Sequence, residues 1–423
     1  MKFLAILRDS LREAVDTKVF YMTLGLSTFL LLLVASVSFR PLTVEEEAQQ
    51  TARLFNLVTS GLVHRSPNLP EFSVEKFVQT GGATEPWNGT YRFDFVARLP
   101  EGADATKAKD GLGRAQLSRF LRDRFETRHK VVEIDTPDVS NPRAVRYPVH
   151  IEGSKVDDIR GWDHEPSVLF AIPMPFFSSS LNSAVYWIED RLVNRYGAWI
   201  GILAGVVITA FFIPNMLRKG TIDLLLAKPI PRWSLLLYKY IGGLSFVFLN
   251  ASFVIVGLWV VLGLRSGIWA PGFLVAIFGI TFFFAILYAV STFFAVLTRS
   301  PIVSILMTVV VWAFLFAVGL IFQFIDGRRH AEITPEAAVA DAISDTWWAK
   351  TIQVVHFVLP RTHDLDVLTT HFIANSLLSE SERKAQGINS AISLSWMESL
   401  TVSAVFVAVL LSLSCWRFSV KDY

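Results

Sequence analysis

Six long apolar segments, none containing a charged residue, constrain what this chain can fold into. They cover residues 19–39, 197–214, 240–264, 273–297, 302–325 and 400–416. An α-helix needs about 20 apolar residues to cross the hydrocarbon core of a bilayer, which is about 30 Å thick. Hydrophobic residues make up 52% of the chain and charged residues only 18%, a composition typical of membrane proteins. The sequence therefore predicts an α-helical polytopic membrane protein with six transmembrane helices.

The same composition excludes several classes of partner and site. The net charge is +2, so we expect no nucleic-acid partner, because a phosphate-binding surface normally leaves a basic excess. The single cysteine, Cys415, lies in the last apolar segment, which leaves neither a disulfide framework nor a cysteine metal site. The lipid bilayer is the partner that the composition itself indicates.

Residues 1–18 precede the first apolar segment and have a helical pattern. Leu4, Leu7 and Leu11 recur at helical spacing, while charged residues occupy the other faces, which favours an amphipathic helix on the inner membrane surface. A cleaved signal peptide is the alternative, because residues 35–38 offer small side chains. The apolar run is longer than the usual core of a signal peptide, and its leader carries acids, so we predict a retained span at residues 19–39.

Residues 40–195, between the first two segments, are soluble in character. Strand-like alternation and helical spacing both occur there, and a mixture of this kind favours an inserted α+β domain. The order of spans places this domain outside the cytoplasm. Its predicted strands cover residues 90–99, 130–135 and 144–152, its predicted helices residues 45–63 and 105–128, and an amphipathic helix at residues 181–192 leads back to the membrane.

Residues 326–397, between the fifth and sixth segments, are too polar to span a membrane. Within them residues 347–360 are apolar but shorter than a span, and Pro360 ends the run. An interfacial or re-entrant helix on the outer side and a buried helix of an outer subdomain both explain this stretch. We expect an extracytoplasmic segment with short interfacial helices.

The positions of lysine and arginine beside the spans predict the orientation. Most of them lie in residues 1–18, in the loop at 215–239 and in the tail at 417–423, whereas the one short loop on the other side carries only Arg265. Positive residues are enriched in short cytoplasmic loops. Both termini are therefore predicted to be cytoplasmic, in a multi-pass protein of the cell (inner, cytoplasmic) membrane.

The cytoplasmic loop at residues 215–239 contains a short predicted helix, residues 221–228, with signals at both ends. Thr221 can act as the N-cap, and Asp223 lies in the first turn, where the helix dipole favours an acid. Lys228 lies in the last turn, and Pro229 prevents the helix from continuing. Such a helix has only about two turns.

Three consecutive leucines in this helix, Leu224, Leu225 and Leu226, cannot bury themselves in so short an element. Their apolar ridge must rest on lipid headgroups, on the chain's own cytoplasmic segments or in a groove of a partner. The sequence leaves these three possibilities open.

The run Gly220-Thr-Ile-Asp-Leu-Leu-Leu-Ala-Lys-Pro-Ile-Pro-Arg232, followed by an apolar helix opening at Leu235, resembles the signature loop of ABC-2-type transporter permeases. In that family the loop carries a coupling helix that docks into a groove of a separate ATP-binding subunit. The resemblance implies a second permease subunit, either the same chain or a related one, and a partner subunit that binds the ATP, with no cofactor in this chain. The implied docking residues are Gly220, Thr221, Asp223, Leu224, Leu225, Leu226, Lys228, Pro229 and Arg232.

No catalytic chemistry is predicted within the chain. A Gly-x-x-x-x-Gly-Lys-Ser/Thr motif is absent from the sequence, so ATP hydrolysis is expected on the separate subunit. His356, His363 and His371 lie near Asp364 and Asp366, but ordinary surface or interface histidines explain them better than a metal site. We predict neither catalytic nor metal-binding residues.

Asn250 and Ser252 are the main polar residues of the third segment. Polar groups inside a membrane usually face protein or water. These two residues therefore either line a translocation path or join neighbouring helices, and helix packing is the preferred interpretation.

These observations favour the membrane-spanning permease subunit of an ABC transporter, and the habit of the family makes export likelier than import. Two alternatives remain. A permease of the mechanotransmission type also has a large outer domain after its first span, but usually fewer spans. A non-transporting membrane scaffold or sensor would use its outer domain to bind a partner, and its leucine ridge would contact lipid or its own chain.

Overall fold

The computed structural model describes residues 18–62, 70–85, 88–99, 114–141, 143–156, 158–173, 179–191, 197–217, 231–329, 346–388 and 394–420. The chain divides into two compact units. The helical unit comprises Met1–Val34 and Tyr186–Tyr423, and the strand-containing unit comprises Ala35–Val185.

Five stretches of helix in the described part of the helical unit are long and apolar enough to cross a membrane: Trp199–Met216, Arg232–Ser266, Pro271–Thr298, Pro301–Phe322 and Trp396–Val420. They coincide with five of the six predicted segments. The chain is therefore a multi-pass membrane protein. In the part of the chain that the structure describes, the α-helices are α1 Lys18–Ala35, α2 Val44–Leu62, α3 Arg114–Glu126, α4 Leu181–Ile188, α5 Ala198–Thr209, α6 Phe212–Met216, α7 Arg232–Ser266, α8 Val275–Thr298, α9 Pro301–Arg329, α10 Trp347–Val358, α11 Thr362–Leu377, α12 Glu380–Ala385 and α13 Trp396–Val420.

The first predicted segment is shorter as a helix than its apolar run. Helix α1 ends at Ala35, and its apolar described part, Tyr21–Ala35, falls short of the length of the other five. Ser38 and Phe39, which the prediction placed in the span, lie in a strand instead. The reason is that these two residues pair with Ser167 and Pro166, in a strand that is distant in sequence. An apolar run cannot reveal such a partner.

Close backbone approach joins several of the apolar helices. A Cβ atom on Gly243 of α7 would lie 2.7 Å from the ring of Tyr288 in α8. The Tyr288 ring in turn stacks on Tyr240 at a centroid distance of 5.0 Å, and the Tyr240 hydroxyl donates a hydrogen bond of 2.7 Å to the carbonyl of Ala285. Gly257 in the same helix faces Leu31 of α1. The glycines of α7 thus let two neighbouring helices pack closely.

Helix α10 has one apolar face exposed and one face against α9 and α11. Trp347 is 80% exposed and Val358 70%. On the other face the His356 ring stacks on Phe322 of α9 and its Nε2 atom lies 3.2 Å from an oxygen of Asp364 in α11. The helix ends at Val358, before Pro360 as predicted. An exposed aromatic face with a polar buried face is what an interfacial helix requires.

Two antiparallel sheets form the strand-containing unit. A five-stranded sheet has the order β2-β3-β6-β4, with β5 paired to β6, and a four-stranded sheet has the order β1-β7-β8, with β9 paired to β7. The strands are β1 Ser38–Pro41, β2 Glu71–Glu85, β3 Asn88–Arg98, β4 His129–Ile134, β5 Asp138–Asn141, β6 Ala144–Ser154, β7 Asp163–Val168, β8 Ile172–Pro173 and β9 Ser179–Ser180. The three predicted strands are confirmed as β3, β4 and β6.

Helices α2 and α3 cover the five-stranded sheet. Ala48 and Ala52 of α2 and Leu121 and Phe125 of α3 are buried in one core with residues of the sheet. Phe93 packs against Phe125 at a ring centroid distance of 5.6 Å. This helix-on-sheet arrangement is the α+β architecture that the sequence predicted.

Strand β2 was missed because a β-bulge interrupts its alternation. Phe72 and Val74 alternate as a strand requires, but the next core-packed residue is Phe77 rather than residue 76. Lys76 has a φ of 51°, and the register with β3 shifts between Glu75 and Val78. An extra residue of this kind changes which face later side chains occupy, so a period-two search loses the strand.

Candidate functional site

The predicted coupling helix lies outside the described residues. The structure stops at Leu217 and resumes at Pro231, so of the predicted docking residues only Arg232 is described, as the first residue of α7. The site is therefore described through the two ends of the loop and the helices that hold them.

Both ends of the loop pack into one apolar cluster, which we call the anchor cluster. Met216 and Leu217 precede residues 218–230 of the loop, Leu235 and Leu236 follow them, and the exposed fraction of each of the four side chains is 5% or less. The cluster consists of Ile213, Met216, Leu217, Leu235, Leu236, Ala295, Val296 and Phe418, with Cys415 packed against it. Residues from α6, α7, α8 and α13 thus meet at the base of the loop.

Local hydrogen bonds fix how α7 leaves the loop. Pro231 is extended, with φ −63° and ψ 137°, and proline cannot supply the donor that a preceding helical turn would need. The Ser234 hydroxyl donates a bond of 2.8 Å to the Pro231 carbonyl. Across the cluster, the Cys415 thiol lies 3.7 Å from the carbonyl of Trp233. The Ser234 side chain and Cys415 of α13 therefore both hold the first turn of α7.

Basic residues lie near the anchor cluster on three of the four helices that contribute to it. Arg232 and Lys239 are in the first turns of α7, Arg299 caps α8 in the left-handed conformation, and Arg417 precedes Phe418 in α13. Trp233 is 53% exposed at the same place. A basic and aromatic rim at one set of helix ends is typical of a membrane–water interface.

Asn250 of α7 contacts α1, whereas Ser252 lies on a different face of α7. The Ser27 hydroxyl of α1 donates a hydrogen bond of 3.1 Å to Oδ1 of Asn250 in α7. Two residues apart on a helix, Asn250 and Ser252 do not face the same way. The structure therefore does not bring the two predicted polar residues together on one path.

Two small cavities lie in the helical unit, near α11. One is lined by residues that include Trp199, Phe283 and Thr369, and the other by residues that include His356 and Arg361. Each has room for only about one or two water molecules. Among the described residues no group of three or more His, Cys, Asp or Glu side chains is arranged to hold a metal ion.

Sequence reasoning missed the anchor cluster. Its members, such as Leu236 and Phe418, are apolar residues near the ends of apolar segments and look like any other residue of a span. The one available signal was that four predicted segments end within a few residues of positive charge on the same side. That signal predicts a shared boundary but not a shared cluster.

A comparison with protein-family models matches residues 4–423 of the chain to the ABC-2 family transporter protein. Comparisons with curated proteins and with solved structures found no significant match. The family match covers nearly the whole chain, including all five membrane helices and the loop whose residues resemble the family's signature. Members of this family are membrane components of ABC transporters and are not themselves catalytic. This chain belongs to the ABC-2 family of transporter proteins and is a permease subunit.

Proposed function

We propose that the chain is the permease of an exporter and that a separate ATP-binding subunit docks on the cytoplasmic loop, through residues 221–228. The observation that carries the proposal is the anchor cluster. A docking helix can move a membrane domain only if both of its ends are attached to the spans, and Leu217 and Leu235 on either side of the loop are buried in the same cluster.

The composition of the anchor cluster indicates which helices such a movement would reach. Val296 belongs to α8 and Phe418 to α13, and both are almost completely buried against the residues that flank the loop. Packed cores resist continuous deformation and transmit displacement. Closure of the ATP-binding subunits would therefore shift the ends of α6, α7, α8 and α13 together and favour outward opening.

We further propose that α1 is a sixth span. Its 18 helical residues are about 27 Å long at the α-helical rise, close to the thickness of the hydrocarbon core. Its exposed side chains are apolar, with Leu26 and Phe29 both 64% exposed. Six spans would put both termini on the same side of the membrane, and the positions of lysine and arginine favour the cytoplasm for that side, with the strand-containing unit outside. Six spans also exceed the number usual for a mechanotransmission permease.

A second permease subunit, the same chain or a related one, completes the proposed transporter. The helical unit exposes many large apolar side chains on its spans, for example Leu306 at 62% on α9 and Val405 at 57% on α13. Lipid and a second subunit are the two partners that such surfaces accept. For Asn250, the hydrogen bond from Ser27 favours helix packing over a place on the translocation path.

Photo-crosslinking tests the docking position. A photoreactive amino acid at Leu225 should crosslink an ATP-binding subunit in the native membrane. The same group at Ile159, which is 37% exposed in the strand-containing unit, is the matched control and should not. If the group at Leu225 forms adducts only with lipid or with this chain, docking at this helix is contradicted, and the scaffold interpretation takes its place.

A further inference from the structure

An apolar hairpin tip stands out on the strand-containing unit. The turn from β7 to β8 exposes three large side chains: Leu169 is 57% exposed, Phe170 65% and Ile172 58%. Residues 168–177 contain no charged residue. An exposed apolar patch on a polar domain marks a contact with a membrane or with another protein.

The backbone of this turn shows that its large side chains are not incidental. Leu169 and Phe170 have φ angles of 53° and 61°, and the Ala171 amide donates to the Val168 carbonyl at 3.4 Å. A turn with two left-handed central residues is of the type that normally carries Asn and Gly. Bulky side chains are strained in this conformation. The chain keeps them here in spite of that strain, which indicates that the side chains themselves have a role.

Strand register and two hydrogen bonds place the tip beside Ser36, within the strand-containing unit. In the antiparallel pair of β1 and β7, Pro41 lies opposite His164 and Ser38 opposite Ser167, so β7 runs back towards the start of β1. Beyond the pair, the amides of Leu169 and Phe170 donate to the hydroxyl and carbonyl of Ser36, at 3.2 and 3.0 Å. Ser36 is the residue that follows the last residue of α1.

We propose that Leu169, Phe170 and Ile172 insert into the interfacial layer of the bilayer and form a second membrane attachment of the strand-containing unit. The inference rests on the proposed role of α1 as a span. If the chain leaves the bilayer at Ala35, a tip hydrogen-bonded to Ser36 lies at the lipid headgroups, where leucine and phenylalanine side chains are stable. No other attachment is needed to hold it there.

A protein partner fits these observations less well. A patch beside the residue that follows a span is within reach of the lipid headgroups, whereas a protein-binding patch could lie anywhere on the unit. The distribution of charge in the same sheet agrees with this, because the ion pair of Arg40 with Glu165 lies in the half of β7 that is farther from the tip. The exposed apolar residues thus lie at the end of the sheet beside Ser36, and the ion pair lies away from it.

Quenching of a fluorescent label tests the proposal in the full chain. Replacing Cys415 by serine removes the only cysteine, and single cysteines are then introduced as Leu169→Cys, Ile159→Cys and Phe29→Cys and labelled with an environment-sensitive dye. Ile159 precedes β7, a strand of six residues and thus about 20 Å long, so it is the matched control. The proteins are reconstituted in phosphatidylcholine vesicles with a nitroxide on the upper acyl chain.

We expect the lipid nitroxide to quench the labels at Leu169 and Phe29 several-fold more strongly than the label at Ile159, and aqueous iodide to show the reverse order. An iodide response at Leu169 equal to that at Ile159 would overturn the insertion while leaving α1 as a span. Protection of Leu169 from both quenchers would assign the tip to a second copy of the chain and also overturn it. Absence of lipid quenching at Phe29 would overturn the span itself. Ile172→Cys serves as a second tip position if Leu169→Cys fails to fold.

Discussion

At the scale of single residues, two buried glutamates illustrate opposite environments. Glu47 and Glu189 are each only 2% exposed. Burial alone would raise the pKa of Glu47, but the hydrogen bond with His129 at 3.2 Å and the charge of Arg128 outweigh it and lower the pKa. Burial raises the pKa of Glu189 well above the ordinary value, and its Oε2 atom has no hydrogen-bond partner among the described residues.

The pairing of Glu47 predicts a large effect of removing its charge. In Glu47→Gln the Arg128 guanidinium, which also pairs with Asp163, keeps a buried charge with less compensation. Breaking a buried pair costs about 3–5 kcal/mol, so we expect the free energy of opening of the strand-containing unit to fall by that order. Hydrogen exchange followed peptide by peptide measures it.

The matched control for Glu47 is an exposed pair. Arg40→Gln removes the ion pairs of the 61% exposed Arg40 side chain with Glu46, at 2.7 Å, and with Glu165, at 3.2 Å, and should cost no more than about 1 kcal/mol. Equal effects of the two substitutions on hydrogen exchange would contradict a structural role for the buried pair.

The two glutamates should also differ in their pH dependence. The pKa of Glu47 in the fold is below its ordinary value of 4.5, so its stabilisation is present above pH 4.5 and is lost as the pH falls through the folded value. The opening free energies of the wild type and Glu47→Gln should therefore converge in acid. The pKa of Glu189 in the fold is raised by burial. The folded state is therefore stabilised at low pH, where Glu189 is neutral, and this stabilisation is lost as the pH rises. Above pH 4.5 the opening free energy of Glu189→Gln should therefore rise relative to that of the wild type. If the opening free energies of the variants and the wild type change in parallel with pH, both pKa assignments are contradicted.

At the scale of elements, helix packing depends on where glycine meets an aromatic ring. Gly243 of α7 lies so close to Tyr288 that a Cβ atom would be 2.7 Å from the ring, whereas Gly201 of α5 has no atom within 4 Å of the same position. Gly243→Ala should therefore destabilise the helical unit by about 1–3 kcal/mol through overpacking. Gly201→Ala should be neutral or slightly stabilising, because alanine favours the helix.

Thermal unfolding in one detergent compares the two glycine variants directly. A clear loss of midpoint temperature for Gly243→Ala alone is expected. If Gly201→Ala lowers the midpoint as much, then general sensitivity of glycines in the spans, rather than the contact of α7 with α8, explains the effect.

The elements differ in how far the sequence could predict them. The apolar segments were predictable because membrane length and lack of charge are local properties, and the alternation of β3 was predictable for the same reason. The bulge at Lys76, the end of α1 at Ala35 and the anchor cluster were not. Each of these depends on a pairing partner that is distant in sequence, such as Ser167 for Ser38 or Val296 and Phe418 for Leu236.

At the scale of the whole molecule, the proposed six spans give a definite topology. In the background Cys415→Ser, a cysteine at Ile159 should react with a membrane-impermeant thiol reagent added to intact cells. A cysteine at Trp233, which is 53% exposed next to the loop, should react only after the membrane is permeabilised. Reaction of both from outside, or the reverse order, would contradict the placement of the strand-containing unit outside the cytoplasm.

For the molecule as a whole, we propose above all that the loop between α6 and α7 connects this permease to a separate ATP-binding subunit. The sequence contains no Gly-x-x-x-x-Gly-Lys-Ser/Thr motif, and its loop resembles the family's docking segment. Substituting Asp223 and Leu225 alters that segment and leaves every residue of the anchor cluster unchanged. Asp123→Arg with Val131→Glu, at two exposed positions of the strand-containing unit, makes the same chemical changes elsewhere.

The most direct test is a pull-down of the tagged chain from its native membrane in mild detergent, beside the double variants Asp223→Arg with Leu225→Glu and Asp123→Arg with Val131→Glu. We predict that an ATPase co-purifies with the wild type and with the Asp123 and Val131 variant but is lost from the Asp223 and Leu225 variant, while all three remain folded. An ATPase that stays bound to the Asp223 and Leu225 variant, or that is absent from the wild type under conditions that preserve known transporter complexes, would contradict the account.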